Sequence, residues 1–212
     1  MVKLDQFTKD LRSLSAEDVV KSYLFKGEPF VFRDQPESLN ILRRHLSQHL
    51  KVAENSIVIV GSAQTGFSLA PDSFPRAFHS GSDIDVVVVD ATLFDRLWQD
   101  ILRWHYPRRS MRLPDSDWQW RIERGNDIYW GWFAPDRIRY EGISFPTMLK
   151  PLRDTSTLWF NAFRSLGLLP EFASRDVSGR LYRTWDHATL YHAEGLRHIA
   201  RRLASKGKNH AV

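Results

Sequence analysis

The chain has 212 residues, of which 42% are hydrophobic and 26% are charged, as in globular proteins rather than disordered ones. It contains no cysteine, which excludes disulfides and thiolate-bound zinc, and no apolar run approaches the ~20 residues that a membrane-spanning helix needs. The net charge of +5 suits a partner that carries phosphate, although a basic surface without such a partner is an equally good interpretation. We expect a cytoplasmic protein that binds no membrane.

Hydrophobic spacing predicts helices and two strands in the first half of the chain. Residues 4–24 suit one or two short helices, and Ser15 followed by acidic residues marks a helix start. The leucines of residues 36–52 share one face of another helix. Residues 56–60 and 83–90 are short runs rich in β-branched side chains, which predicts two buried strands.

In the second half of the chain, some segments have a clear helical or strand pattern and others do not. Residues 91–105 have apolar side chains at helical spacing, so this helix should pack on the two strands. Residues 107–146 are rich in Arg, Trp, Tyr and Pro and alternate loosely, which indicates strands or a mobile lobe. A helix closed by Gly167 follows, and after a short strand or turn a long amphipathic helix begins at about Asp186.

The chain has no internal repeat and no linker rich in glycine or serine. We therefore expect a single domain over residues 1–212. Its core should span about residues 37–150, and a helical part should follow over about residues 151–212. The alternation of helices and strands predicts an α/β (α+β) fold.

The stretch IVIVGSAQTGFSLA, residues 57–70, runs from a strand into a glycine turn. Gly61 and Gly66 have the separation of a phosphate-binding P-loop, and Ser68 is also in place. Phe67, however, stands where that motif needs a lysine, and an aromatic ring cannot neutralise phosphate charge. The P-loop is therefore excluded, and the turn must bind phosphate in another way if it binds it at all.

Two aspartates open the second strand. Asp83 and Asp85 are two residues apart, so they project from one face while Ile84 and Val86 point to the core. Two carboxylates this close repel each other unless a cation lies between them. Mg²⁺ prefers one or two carboxylates together with waters and substrate phosphates. The alternative is that Ser82 and Asp83 cap the turn and Asp85 faces solvent.

VGS at residues 60–62, followed by SDIDVVVV at 82–89, resembles the signature of the polymerase β-like nucleotidyltransferase superfamily. The resemblance implies a small mixed sheet flanked by helices, here with helical N- and C-terminal extensions. It also implies that the turn of Gly61 and Ser62 holds the phosphates of a nucleoside triphosphate, together with Ser82. Asp83 and Asp85 would be catalytic and would bind Mg²⁺ or Mn²⁺.

The activity implied by this resemblance is transfer of a nucleoside monophosphate to a hydroxyl group. The acceptor stays open: a protein side chain, an RNA end, a second nucleotide or a small molecule. Compact bacterial members of the superfamily often act in toxin–antitoxin or antiphage systems, which the resemblance extends to this chain as an expectation.

The sequence departs from the family pattern at two places. The spacer between Ser62 and Asp83 is longer than usual, so residues 63–81 form an inserted loop that could cover the site or contact a partner protein. The family takes a third catalytic carboxylate from a neighbouring strand. Asp127 is our first candidate for it, on a strand beside residues 83–89, and Glu123 is the second.

Two other interpretations remain open. If neither candidate supplies the third carboxylate, the chain is a catalytically silent relative of this fold that serves as a binding or assembly module. Alternatively, the segments that mix basic and aromatic residues bind RNA, and this binding would survive the loss of Asp83 and Asp85.

Overall fold

The computed structural model describes residues 2–108, 112, 114–144, 146–173 and 175–208. These residues form eight α-helices around a four-stranded sheet, which confirms the mixed α/β class. The helices are α1 (Leu4–Ser13), α2 (Ala16–Val19), α3 (Glu37–Leu50), α4 (Gly61–Thr65), α5 (Ala91–His105), α6 (Asp115–Trp130), α7 (Lys150–Leu166) and α8 (Trp185–Lys208). The strands are β1 (Ile57–Val60), β2 (Ile84–Val89), β3 (Trp132–Phe133) and β4 (Val177–Tyr182). No helix in this described part of the chain is long and apolar enough to cross a membrane.

The sheet has the strand order β1-β2-β4-β3 and is mixed, as predicted. β2 runs antiparallel to β1 and parallel to β4, and β3 runs antiparallel to β4. Asp85 on β2 lies opposite Val60 on one side and opposite Ser178 on the other. The end of β1, the start of β2 and the start of β4 therefore meet at one end of the sheet.

The two faces of the sheet carry separate apolar clusters. Ile84, Val86 and Val88 pack under α3, α5 and α7, whereas Val87 and Val58 lie on the opposite face under α1, α2 and α8. Successive strand side chains point to opposite faces, so a run of valines can fill both clusters at once. Asp85 belongs to the face that α8 covers.

Several predicted element ends are confirmed by their capping contacts. The Ser15 hydroxyl accepts a hydrogen bond from the Asp18 backbone N–H at 3.1 Å, as an N-cap residue should. Gly167 closes α7, and α8 begins at Trp185, one residue before the predicted start. β1 and β2 lie within the predicted strands.

The strands or mobile lobe expected over residues 107–146 are wrong for Asp115–Trp130, which form the helix α6, whereas Trp132–Phe133 do form the strand β3. The error has a physical cause: Trp118 and Trp130 are exposed on this helix while Trp120 is buried, so its aromatic residues do not mark one face. The Trp120 indole N–H donates a hydrogen bond to the backbone carbonyl of Arg139 at 2.8 Å, which ties α6 to the chain that follows β3.

Gly179 provides a test of the packing between β4 and α7. A Cβ at this position would lie 2.3 Å from Cζ of the buried Phe163 ring. Gly179→Ala should therefore lower the free energy of unfolding by about 1–3 kcal/mol, the usual cost of overpacking a core. Thermal melting would measure the loss.

Gly125→Ala is the matched control, because a Cβ there meets no atom within 4 Å and alanine favours a helix. The control should melt at or above the wild-type temperature. Adding Phe163→Leu to Gly179→Ala should recover part of the loss. Equal melting temperatures for Gly179→Ala and Gly125→Ala would contradict the packing that we describe.

Candidate functional site

The candidate site lies where β1 ends beside the start of β2. Gly61 and Ser62 form the tight turn with which α4 begins, directly after β1. Because Val60 pairs with Asp85, this turn lies beside the Asp85 side chain. Gly61 has a φ of +66°, and a Cβ there would lie 3.2 Å from Oδ2 of Asp85. The absence of a side chain at Gly61 thus lets the carboxylate approach the backbone of the turn.

A cavity of about 310 Å³ opens beside this contact. Its polar lining comes from the turn, from the facing strands and from the segment after β3: Gly61, Ser62, Asp85, Arg137, Ser178 and Arg180. The predicted residues Gly61, Ser62 and Asp85 are therefore brought together. Arg137 and Ser178 were not predicted, since nothing in their local sequence distinguishes them from other surface residues. Arg180 belongs to a segment that mixes basic and aromatic residues, which we had considered for RNA binding and not for this site.

Asp85 is an exposed residue of β2, but its carboxyl is partly desolvated by the protein atoms around the cavity and the turn at Gly61. Burial raises its pKa, and the nearby charge of Asp83 acts in the same direction. Arg180, Arg137 and a hydrogen bond with Ser178 oppose the rise without cancelling it. A cation placed against this carboxylate would therefore be stabilised by relief of that cost.

Asp83 lies just before β2 and lines a neighbouring cavity of about 560 Å³ together with Asp136 and Asp176. Asp176 immediately precedes β4, and its backbone carbonyl accepts a hydrogen bond from the Ile84 N–H at 2.9 Å. Since Ile84 pairs with Val177, Asp176 stands alongside Asp83 at the start of the adjacent strand. The sequence analysis missed Asp176, although an aspartate that opens a strand is the same signal that identified Asp83.

Ser82 lines the cavity of Asp83 rather than the one beside Gly61. Its hydroxyl accepts a hydrogen bond from the His79 backbone N–H at 3.1 Å, which closes the end of the inserted loop. The Arg175 guanidinium donates to the carbonyls of His79, Ser80 and Ser82 at 2.8, 3.0 and 3.0 Å. Ser82 is thus part of the support of Asp83.

The prediction that Asp127 lies on a strand beside β2 was wrong, because Asp127 and Glu123 both lie on α6. Arg124 forms ion pairs with each of them, at 3.2 Å in both cases. Burial raises the pKa of Asp127 to about 6, partly offset by Arg124, while Glu123 adds to the rise. Neither carboxylate is among the residues that line the two cavities.

The inserted loop contributes one wall of the site. Ser68, Leu69 and Ala70 line the cavity beside Gly61, and the Ser68 N–H donates to the Arg76 carbonyl at 2.8 Å. The prediction that this insertion could cover the site therefore agrees with its position. A contact with a partner protein stays a prediction.

The carboxylates of the site are the oxygen ligands that a divalent metal such as Mg²⁺ prefers. Among the residues that the structure describes, no group of three or more Asp, Glu or His side chains is arranged to hold an ion. Asp83 and Asp85 nevertheless sit at one end of β2, and Asp85 contacts a turn that a Cβ would fill. Asp85 and Asp83 line neighbouring cavities, so only the chemistry of the donors supports an ion here: Mg²⁺ takes one or two carboxylates and completes its shell with water and phosphate oxygens.

The resemblance noted from the sequence rests on residues 60–62 and 82–89. Among protein-family models, curated proteins and solved structures, none matches this chain.

Proposed function

We propose that the protein binds a nucleoside triphosphate with Mg²⁺ or Mn²⁺ and transfers its nucleoside monophosphate to a hydroxyl acceptor. The observation that carries the proposal is the contact of Asp85 with the Gly61 backbone in a cavity that Arg137 and Arg180 also line. A carboxylate, a glycine turn and two guanidinium groups around a cavity of 310 Å³ suit a phosphate chain that binds together with a cation.

The phosphate chain would contact the turn and the two arginines. A glycine at position 61 allows phosphate oxygens to approach the backbone, and Ser62 and Ser178 add hydroxyl donors. Guanidinium groups bind phosphate through paired N–H donors and stay charged at any physiological pH. In a P-loop a lysine supplies the positive charge, and Phe67 stands at that position here. Arg137 and Arg180 would supply the charge instead.

Asp83 and Asp85 would hold the divalent ion, and Asp176 takes the place that we first gave to Asp127. When bound, such an ion stabilises the negative charge that develops on the transferring phosphate. Asp85 would be ionised more readily in its presence. Arg175 would keep Asp83 in place through its bonds to the preceding loop.

The second candidate is a nucleotide-binding module that transfers nothing. It is favoured by the strands on either side of β2: in the described structure, β1 is wholly apolar, and β4 carries Ser178 and Arg180 where a third carboxylate would face Asp85. The RNA-binding alternative draws on the arginine-rich residues 103–112, of which 109–111 lie outside the described residues.

A transfer assay separates these functions. Labelled nucleoside triphosphates with Mg²⁺ or Mn²⁺ would be offered total RNA, cell lysate protein and free nucleotides as acceptors. Asp176→Asn should lower the transfer rate by about a hundredfold or more, the usual loss when a group that stabilises transition-state charge is removed. Asp127→Asn should leave the rate within about twofold of wild type, because Asp127 lies on α6 and lines neither cavity.

Wild-type rates in Asp176→Asn would exclude this residue from the reaction. Loss of transfer in Asp127→Asn, with an unchanged melting temperature, would return the third carboxylate to Asp127. Nucleotide binding without transfer to any acceptor would support the silent module.

A further inference from the structure

A third cavity, of about 960 Å³, adjoins the one beside Gly61, and Gly61, Leu69 and His192 line both. We call it the aromatic cavity. We propose that the aromatic cavity binds the nucleobase of the bound nucleotide by stacking it against the aromatic residues of α6, β3 and α8. The proposal rests on the proposed function, because it assigns the other end of the same ligand.

The lining of the aromatic cavity consists mainly of aromatic and apolar side chains. Tyr129 and Trp130 are 75% and 62% exposed, and their rings meet edge to face with centroids 4.8 Å apart. Trp132 and Tyr191 form another edge-to-face pair at 5.7 Å. Large aromatic side chains left open together in a concave surface are typical of a binding site. Their planar faces suit a planar aromatic ligand.

Arg180 connects the aromatic wall to the charged cavity. Its guanidinium lies 5.1 Å from the Trp132 ring centroid and 4.8 Å from that of Tyr191, and it donates to the Tyr191 hydroxyl. The same side chain lines the cavity that contains Asp85. A ligand that spans both cavities must therefore combine an anionic end with a flat aromatic end, which is the chemistry of a nucleotide rather than of a lipid or a plain anion.

His192 stands where the two cavities meet. Its Nε2 atom is buried and makes no hydrogen bond within the described residues. Burial lowers the pKa of His192 to about 4, with Arg180 acting in the same direction, so the imidazole is neutral near pH 7. The His192 ring therefore adds a neutral, flat surface to the junction of the two cavities, whereas its Nε2 atom is not accessible from either.

Recognition by stacking has a consequence for base preference. Every base has a π-face, so stacking on aromatic side chains tolerates all four bases. A purine covers more of the aromatic wall than a pyrimidine does. We therefore expect ATP and GTP to bind somewhat more tightly than CTP and UTP, with no strict selection.

The test compares ATP with inorganic tripolyphosphate, each with Mg²⁺, by calorimetric titration. Trp130→Ala should weaken ATP binding about tenfold, within the range measured for stacking of one base on an aromatic side chain, and leave tripolyphosphate binding unchanged. Trp118→Ala is the matched control: Trp118 is 51% exposed on the same helix and lines neither cavity, so both affinities should stay at wild-type values. Both tryptophans are exposed, so neither variant should unfold. Tyr129→Ala combined with Trp130→Ala should enlarge the loss for ATP alone.

Each outcome separates this inference from the proposed function. Equal binding of ATP and tripolyphosphate, unaffected by the double variant, would overturn the base site and leave the phosphate site standing. If ATP binds and depends on Trp130 while tripolyphosphate does not bind, the base site is supported and the phosphate site fails. If neither ligand binds, both proposals are overturned.

Discussion

Replacing Asp83 and Asp85 together by asparagine should abolish the stabilisation that Mg²⁺ and a nucleoside triphosphate give to the wild-type protein. Ligand at about 100 times its Kd adds ~2.7 kcal/mol to the free energy of unfolding, so the wild-type melting temperature should rise clearly. The double variant should show no rise, because an amide does not replace the charge that an ion needs. Transfer should be lost with it. Thermal melting with and without ligand measures the first effect.

Without ligand, the double variant should be at least as stable as the wild type. Burial raises the pKa of Asp85, so the folded chain holds a proton on this carboxyl more tightly than the unfolded chain does. The stability that this group contributes is therefore greatest at acid pH and falls as pH rises through the shifted pKa. Asparagine cannot ionise, so it removes this cost at every pH at which the Asp85 carboxyl is charged.

Asp34→Asn is the control for the double variant. Asp34 is an exposed carboxylate that pairs with Arg33 at 3.2 Å, and its loss should change neither stability nor the shift with ligand by much. A ligand shift of wild-type size in the double variant would end the assignment of Asp83 and Asp85 to the metal.

Gly61→Val should reduce nucleotide affinity by a hundredfold or more. Valine at a φ of +66° is strained, and its Cβ would lie 3.2 Å from Oδ2 of Asp85, in the space where phosphate must reach the backbone. We expect some loss of stability as well, of about 1–2 kcal/mol, from the left-handed backbone. Calorimetric titration with ATP and Mg²⁺ gives the affinity, and circular dichroism checks the fold.

Gly27→Val separates the two effects. Gly27 has a φ of +85°, but a Cβ there meets nothing within 4 Å. It should therefore show a similar loss of stability and keep wild-type affinity for ATP. Retained affinity in Gly61→Val would mean that Gly61 serves only the packing of the turn and that phosphate binds elsewhere.

Local patterns in the sequence were sufficient for most elements and for the central part of the site. A short run of β-branched valines specifies β2, and leucines that recur about every four residues specify α3; both signals depend on neighbouring residues alone. The period of two along a strand placed Asp83 and Asp85 together. The glycine turn was predicted next to them from the resemblance of VGS and SDIDVVVV to a family signature, since residues 61–83 separate the two strands.

The prediction failed where contacts join distant segments. One of the two partners of β2 is β4, which lies far along the chain beyond α5, α6 and α7, so nothing near Asp83 identified Asp176. Asp127 was chosen from its local sequence, and only the folded chain shows that it lies on α6 beside Arg124. The exposed Trp118 and Trp130 hid the helical period of α6, since exposed aromatic residues carry no information about which face is buried.

The sequence by itself determined the mixed α/β class, the strand that carries Asp85 directly after Asp83, and the glycine turn that follows β1, because short-range patterns and backbone freedom decide these features. Only the tertiary structure decided which of many arginines face Asp85, which aspartate stands beside Asp83 and which aromatic residues line the aromatic cavity. Those choices depend on strand pairing and on the packing of α6 and α8, and such contacts form between residues whose local sequences are independent of one another.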